Sequence, residues 1–324
     1  MSMSNPVTAV HSRFSQFLAV HPDIGRLVAD LSPVFAYVRS NPEAAESIVP
    51  MYKRWIFASP IRHFALLQAR PLWQRVLLMA FGMTLGPLWT LFLHQMANIR
   101  DVRWRAHMVS AILKDEASKR QARSQTMTVD VLGSGSGLYV IDAYRRLPSN
   151  CRTQFGLIDH LPETYDLARQ YAKTTGLDVT TFNSTFQQHC ADITALEFYA
   201  NQAGTRDMVL MIGVGDHIDK VIKSRVLRAL KGSEHPQDVA STNPDMIRLM
   251  SKIKSTLKPG GVFVYSFVQA NVEDAYLEKV IRWRHRYRTR TMVEQMFAAA
   301  GWDSDQIEYV AGPTGVQHIA IARA

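Results

Sequence analysis

Residues 129–137 read VDVLGSGSG, an apolar run that closes in glycine at 133, 135 and 137. Alternating glycines at the end of a buried strand let the chain turn sharply into a helix while its backbone comes close to a ligand, with no Cβ atoms in the way. The next apolar run, TQFGLID at 153–159, ends in Asp159, a position from which a carboxylate can accept both hydroxyl hydrogens of a ribose. A nucleoside-containing ligand at the carboxyl ends of the strands is therefore expected. The spacing narrows the choice. Leu138 stands where a dinucleotide fold prefers its third glycine, and GSGSGLYV lacks the Lys-Ser/Thr pair with which a phosphate loop holds phosphate and magnesium.

Outward from the loop, residues 126–324 alternate short apolar runs with helical stretches, the pattern of an α/β sheet. Strands are expected at TMTVDVL (126–132), TQFGLID, DVTTF (178–182), DMVLMIG (207–213) and LKPGGVFVYSFV (257–268), the last containing a turn. QIEYVA and VQHIAIARA, joined through GPTG, are expected to close the sheet as an antiparallel pair. Helices are expected at 138–146 and over PETYDLARQYAKTTG (162–176), with Pro162 near the first turn and Gly176 as the stop.

Residues 1–124 have a different character and are expected to form an all-helical N-terminal domain, with 125–324 as the ligand-binding domain. Apolar side chains at Leu88, Phe92, Met96, Ile99, Val102 and Val109 recur at helical steps, and the polar run KDEASKRQARSQ marks the helix end and the boundary. The net charge of +9 lies mostly here, with 14 Lys and Arg against 7 Asp and Glu in residues 1–120, leaving 23 against 21 in the rest. Such a surplus permits nucleic acid, anionic lipid or an acidic small molecule and selects none of them. Residues 76–99 carry no formal charge, enough length to span a bilayer. Gly86-Pro87 divides the stretch, and His94, Gln95 and Asn98 interrupt its second half, so a buried helix pair or homodimer interface is favoured over membrane association.

The 47% hydrophobic content over 324 residues excludes a disordered chain. Cys151 and Cys190 have neither CxxC spacing nor Cys/His partners, so no disulfide framework and no metal site is suggested; both are expected as small buried residues in a reducing cytoplasm. The first residues, MSMSNPVTAVHSRFSQ, do not read as a signal peptide.

Four pieces in order resemble the class I S-adenosylmethionine-dependent methyltransferases: VLGSGSG, LIDH, DMVLMIGVGDHID and LKPGGVFVYS. The resemblance covers about residues 126–324. It implies a Rossmann-like sheet of seven strands with the last antiparallel, and S-adenosyl-L-methionine as cofactor. Gly133, Ser134, Gly135 and Gly137 would then lie under the methionine part, Asp159 and His160 beside the ribose, and Gly213 beside the methyl group. For the adenine, Asn183, Ser184 and the later Asp192 are all candidates. One feature departs from the family: the acid it usually carries two residues before the first glycine is Val131 here, with Asp130 one step earlier and expected on the other face of the strand.

Methyl transfer to an activated sulfonium chiefly requires alignment of a nucleophile and exclusion of water, with a general base where the acceptor arrives protonated. Asp216 and His217 in GVGDHID are the candidate catalytic residues, with helix capping as the alternative. In IRWRHRYRTR (281–290), Arg284, Tyr287 and Arg288 share a face if the stretch is helical and could meet a carboxylate or phosphate of the acceptor. The fourth-strand motif lacks the Asn/Asp-Pro-Pro-aromatic sequence of the family's adenine-N6 and glutamine-amide enzymes, and no Pro-Cys pair suggests a cytosine-C5 enzyme, so the resemblance implies a small-molecule acceptor, with the arginines allowing an acidic one. An RNA methyltransferase and a non-catalytic scaffold are the alternatives.

Overall fold

The computed structural model describes residues 39–40, 96–121, 125–194, 196–199, 201–215, 244–279 and 285–324. The expected N-terminal helices before residue 96 lie outside them apart from 39–40, as does most of the uncharged stretch 76–99. Among the described residues, no helix is long and apolar enough to cross a membrane.

The chain divides into two compact units, one of Met1–Arg100 with Asn271–Arg284, the other of Asp101–Ala270 with His285–Ala324. The sheet-bearing unit thus begins within the long helix α1 (Ala97–Gln121), ahead of the boundary at 124 expected from the sequence. That helix runs on through most of the charged segment and ends with Lys119 and Arg120, cations that suit the negative end of a helix dipole. In the first unit, the Glu273 carboxylate accepts the backbone N–H groups of Ala97 (2.6 Å) and Asn98 (3.1 Å), satisfying two of the four orphan donors at the start of α1. Glu273 lies just before the short helix α6 (Asp274–Lys279), numbered in chain order with the helices below.

The second unit holds one sheet of seven strands: β1 (Met127–Leu132), β2 (Thr153–Asp159), β3 (Phe186–Cys190), β4 (Arg206–Met211), β5 (Leu257–Val268), β6 (Ile307–Ala311) and β7 (Gln317–Arg323). Their order is β3-β2-β1-β4-β5-β7-β6, with β1 to β5 parallel and β7 antiparallel to both neighbours. The expected seven-stranded Rossmann-like sheet is therefore present. After β1 the chain winds outward to β2 and β3, then returns to lay β4 on the other side of β1. This reversal opens a crevice at the carboxyl ends of β1 and β4, the place where open α/β sheets bind ligands.

Strand alternation sorts the core onto two faces. Val129, Val131, Phe155, Leu157, Met208, Leu210, Val262 and Val264 pack with Val109, Leu113 and Ala117 of α1 and with apolar residues of α2 (Leu138–Tyr144), α3 (Glu163–Thr174) and α4 (Val179–Thr185). Leu132, Ile158, Val209, Met211, Phe263, Tyr265 and Phe267 pack on the other face with α5 (Pro244–Thr256) and α7 (Arg290–Ala299). Each fully buried side chain of this kind contributes about 1.5 to 3 kcal/mol relative to exposure.

Four expectations are corrected. DVTTF is not a strand: Asp178 caps α4 by accepting the Thr181 N–H at 2.8 Å, and the strand follows as FQQHC. The capping carboxylate outweighs the strand preference of Val179, Thr180 and Thr181. Asn183 and Ser184 consequently precede β3 and sit at the amino edge of the sheet, opposite the glycine loop, where they cannot reach an adenine. Asp192, just past the carboxyl end of β3, takes their place among the candidates. The stretch 285–289 is non-helical, so Tyr287 and Arg288 do not share a helical face. The Arg288 N–H is drawn to Val268 O (2.8 Å), and the helix starts only at Arg290, capped by Thr289. Cys190 is exposed and Cys151 half-buried, not core residues.

Candidate cofactor and acceptor site

The glycine loop lies at the switch point. Gly133, Gly135 and Gly137 have φ of 60°, 51° and 60°, in the left-handed region that L side chains rarely adopt. Their surroundings differ. A Cβ on Gly133 would fall 2.4 Å from Val214 Cγ2, so this glycine lets the end of β1 close against the end of β4. A Cβ on Gly135 would meet nothing within 4 Å, which leaves its backbone open to a ligand.

Asp159 binds this loop directly. Its Oδ2 accepts the Gly135 N–H at 2.9 Å, and its Oδ1 accepts the Leu161 N–H at 3.0 Å. The His160 ring stands at 3.3 Å from Oδ1 and is largely exposed. The Ser134 N–H donates to Ile158 O at 3.0 Å, so the β1 loop is tied to β2 at two successive amides. Leu138 and Leu161 flank the loop as exposed large apolar side chains, 42% and 47% accessible. A rigid, open backbone turn with an acid at its centre and apolar groups on either side fits a nucleoside whose sugar binds the carboxylate and whose base packs on aliphatic carbon.

The displaced acid follows the pleat. Val131 is buried in the core facing α1, whereas Asp130 points to the opposite face, over Gly156, where a Cβ would come within 2.5 Å of its Oδ1. There it accepts from Arg206 Nε at 2.7 Å, inside the sheet and away from the loop.

At the end of β4, Gly213 has φ of 73° and donates its N–H to Ser266 Oγ of β5 at 2.8 Å. Arg105, on α1, lies across it: a Cβ on Gly213 would come within 2.8 Å of Arg105 Nη2. The guanidinium is held through Nη1 by Gln317 Oε1 (2.8 Å) and Ser266 Oγ (3.5 Å). Sequence reasoning missed Arg105. It sits in a helix of mixed polarity with no motif around it, and the only hint was the glycine that makes room for it.

Asp216, His217 and Arg284 lie outside the described residues. Their neighbours are visible: a Cβ on Gly215 would come within 2.6 Å of the Tyr265 ring, and Arg288 Nη1 donates to Gly215 O at 3.3 Å. Arg288 is 1% exposed, so its guanidinium braces the backbone immediately before Asp216. Tyr287 is half-buried with its ring against His285 (centroids 6.0 Å apart).

No family model and no curated protein matches the sequence. Solved structures do match. A possible exported protein from Bordetella parapertussis superposes with a TM-score of 0.53 at 15% identity, over 88% of this chain and 96% of that one. The chain has a Rossmann-like fold, a seven-stranded sheet with one strand antiparallel to its neighbours. An O-methyltransferase family protein from Burkholderia thailandensis aligns at 15% identity with a TM-score of 0.43 over 72% of this chain and 60% of its own length. The apo S-adenosylmethionine-dependent methyltransferase SibL aligns at 16% identity with a TM-score of 0.44, over 89% and 72%.

Proposed function

We propose that the protein is an S-adenosyl-L-methionine-dependent methyltransferase with a small-molecule acceptor. The observation that carries this reading is the loop Gly133–Gly137 at the sheet's switch point, with three left-handed glycines and Asp159 holding the middle one, Gly135, by its N–H. Its spacing disfavours a dinucleotide and a nucleoside triphosphate.

When bound, the cofactor supplies a methyl group on an already activated sulfonium. Asp159 takes the ribose hydroxyls, Gly135 admits the backbone-hugging part of the ligand, and Leu138 and Leu161 cover the base, with Asp192 as a polar contact at the third strand. Asp216 and His217 follow Gly215 directly in the sequence and are the candidates for the chemistry; His217 would receive a proton from the acceptor where one must leave. Arg288 holds Gly215 O, the backbone just before these two; the arginines of 281–290 favour an acidic acceptor, with Arg284 and Tyr287 as its candidate contacts from the sequence.

Calorimetric titration with S-adenosylmethionine, S-adenosylhomocysteine and NAD tests the reading. Micromolar binding of the first two and none of NAD is expected. Asp159→Ala is expected to weaken S-adenosylhomocysteine by on the order of 1.5 to 3 kcal/mol, through lost charge-assisted hydrogen bonds. Tight NAD binding, or an affinity indifferent to Asp159→Ala, would overturn it.

A further inference from the structure

The sheet ends laterally in β6, and the main-chain groups that this strand leaves open follow from the ladders beside it. In an antiparallel pair the residues of a strand turn their N–H and C=O groups alternately toward the partner and away from it. Gln269 N–H donates to Val316 O and Gly312 N–H to Gln317 O, each at 2.8 Å, and these two bonds fix the phase. With the observed registers, residues 318, 320 and 322 of β7 bond to β5, while 319 and 321 bond to Val310 and Glu308 of β6. Ile307, Tyr309 and Ala311 therefore face outward. The Ile307 N–H is taken by Ser304 O in the 3-10 turn Ser304–Gln306. The Ile307 C=O and both groups of Tyr309 and of Ala311 have no partner among the described residues. Such an edge is a template for another strand unless a bulge, a proline, a charge, brevity or a covering helix blunts it. β6 is short and carries Glu308, but its register is unbroken, its proline comes only at 313, and a groove of about 480 Å³ lies between it and α7.

The open groups are complementary to a second copy of themselves. When two β6 strands run antiparallel about a two-fold axis at Tyr309, the two Tyr309 residues exchange N–H···O bonds, and each Ala311 N–H meets the Ile307 C=O of the other copy. The Ile307 N–H, which this register would send to the other Ala311 C=O, is the one already bonded within the chain. The side chains agree. α7 starts at the carboxyl edge, just after Arg288 N–H bonds Val268 O, and runs back toward the start of β6, so it lies antiparallel to that strand. Arg290 covers the Tyr309 ring at 4.7 Å, and Glu294 follows one turn on, 2.7 Å from Arg290, with side chains 59% and 43% exposed. A two-fold at Tyr309 reverses that order in the second copy and turns each Arg290 toward the other's Glu294. Asp303 and Asp305, ahead of β6, then come beside the uncharged hairpin Gly312–Gly315 of the other copy, whereas a parallel pairing would set like charges against each other.

We propose that β6 is a self-association edge through which two copies of the chain join their sheets, antiparallel about Tyr309, into one continuous sheet. A five-residue ladder with one pair of helices beside it is small next to the roughly 1,200 to 2,000 Å² of stable interfaces, so a Kd on the order of 10 to 100 μM is expected. Nothing in this pairing depends on the cofactor.

Sedimentation velocity of the whole chain from about 1 to 300 μM should show a concentration-dependent association step. Ala311→Pro should remove that step. It deletes an outward N–H with no partner in the chain, at an edge position that proline tolerates, so the melting temperature should hold. Arg290→Glu and Glu294→Arg should each weaken association about 10-fold or more, while an equimolar mixture of the two recovers it, because each supplies the charge that the other lacks. Hydrogen exchange locates the contact: the Tyr309 and Ala311 amides should exchange fast in dilute protein and slow as its concentration rises, and in Ala311→Pro the Tyr309 amide should stay fast. A wild type whose sedimentation is indifferent to concentration, or an association step that Ala311→Pro leaves intact, would overturn the proposal. So would protection of the Tyr309 amide that is independent of concentration, since another segment of the same chain would then cover the edge. A mixture that associates no better than its two components would overturn the pairing about Tyr309.

Discussion

The two edges of the parallel sheet are built on opposite rules. At the amino edge two buried carboxylates, Glu116 and Asp207, are each answered several times over. Glu116 of α1 accepts from Arg323 (2.9 Å), Arg120 (2.8 Å) and Lys119 (3.1 Å), and Asp207 at the start of β4 accepts from Lys258 (2.9 Å), Arg120 (3.0 Å) and both the N–H and the hydroxyl of Thr128 (2.8 Å each). Arg120 joins the two acids into one network that ties α1, β1, β4, β5 and β7 together. At the carboxyl edge the chain instead presents open backbone: the left-handed loop Gly133–Gly137, left-handed Gly213 and the exposed Leu138 and Leu161. The contrast separates what holds the fold from what the fold presents.

The largest expected effect is a loss of stability from the amino edge with no effect on binding. Asp207→Ala strands two cations and a strand N–H, and breaking such a network typically costs about 3 to 5 kcal/mol. Urea unfolding should show that loss, and S-adenosylhomocysteine affinity extrapolated to the folded protein should stay at the wild-type value. A fall in affinity alongside an intact midpoint would erase the distinction between the edges.

The glycines sharpen the comparison within the carboxyl edge. Gly133→Ala combines left-handed strain of about 1 to 2 kcal/mol with a Cβ forced into Val214, so it should lower both the melting temperature and cofactor affinity. Gly135→Ala carries the strain alone, in open space. It should therefore destabilise the protein by no more than about 2 kcal/mol while still blocking close approach of the ligand, read as weakened binding in calorimetry. Equal effects of the two substitutions on stability would mean that the Val214 contact yields easily.

These edges were unequally legible from the sequence. The glycine loop and Asp159 are local signals, short in sequence and rigid in meaning, and with the strand patterns they announced the sheet and the turn that follows β1, which Asp159 ties to β2. The third strand was misplaced because Val179 and the threonines after it favour strands, and only the capping geometry of Asp178 reverses that preference. Arg105 was invisible for a different reason. Its role depends on Gly213, Ser266 and Gln317, which lie more than a hundred residues away, and on a register that no local pattern encodes. The ion network was equally hidden, since Glu116 and Arg323 meet only once β7 has been inserted beside β5.

The smallest effects lie in the acid limb of stability, where the sheet carries acids of both signs. Burial raises the Glu116 and Asp207 carboxyls, but donors outweigh it, Arg323, Lys119 and Arg120 at Glu116 and Thr128, Lys258 and Arg120 at Asp207, so both end below the ordinary carboxylate value. A depressed folded pKa means that the stabilisation is complete above the unfolded value and is lost as pH falls through the folded one. Asp130 runs the other way. Burial pushes its carboxyl up, more than Arg206 lowers it, so the folded state takes up that proton first and gains relative stability on acidification. Asp207→Asn should flatten the decline in urea midpoint from neutral pH toward pH values below the ordinary carboxylate range. Asp130→Asn should steepen it slightly while changing stability at neutral pH by about 1 kcal/mol or less, because the amide oxygen still accepts from Arg206. Were Asp130→Asn instead to flatten the acid limb as Asp207→Asn does, the Asp130–Arg206 pair would belong with the stabilising network and not be a tolerated cost of displacing the acid from the position before the glycine loop.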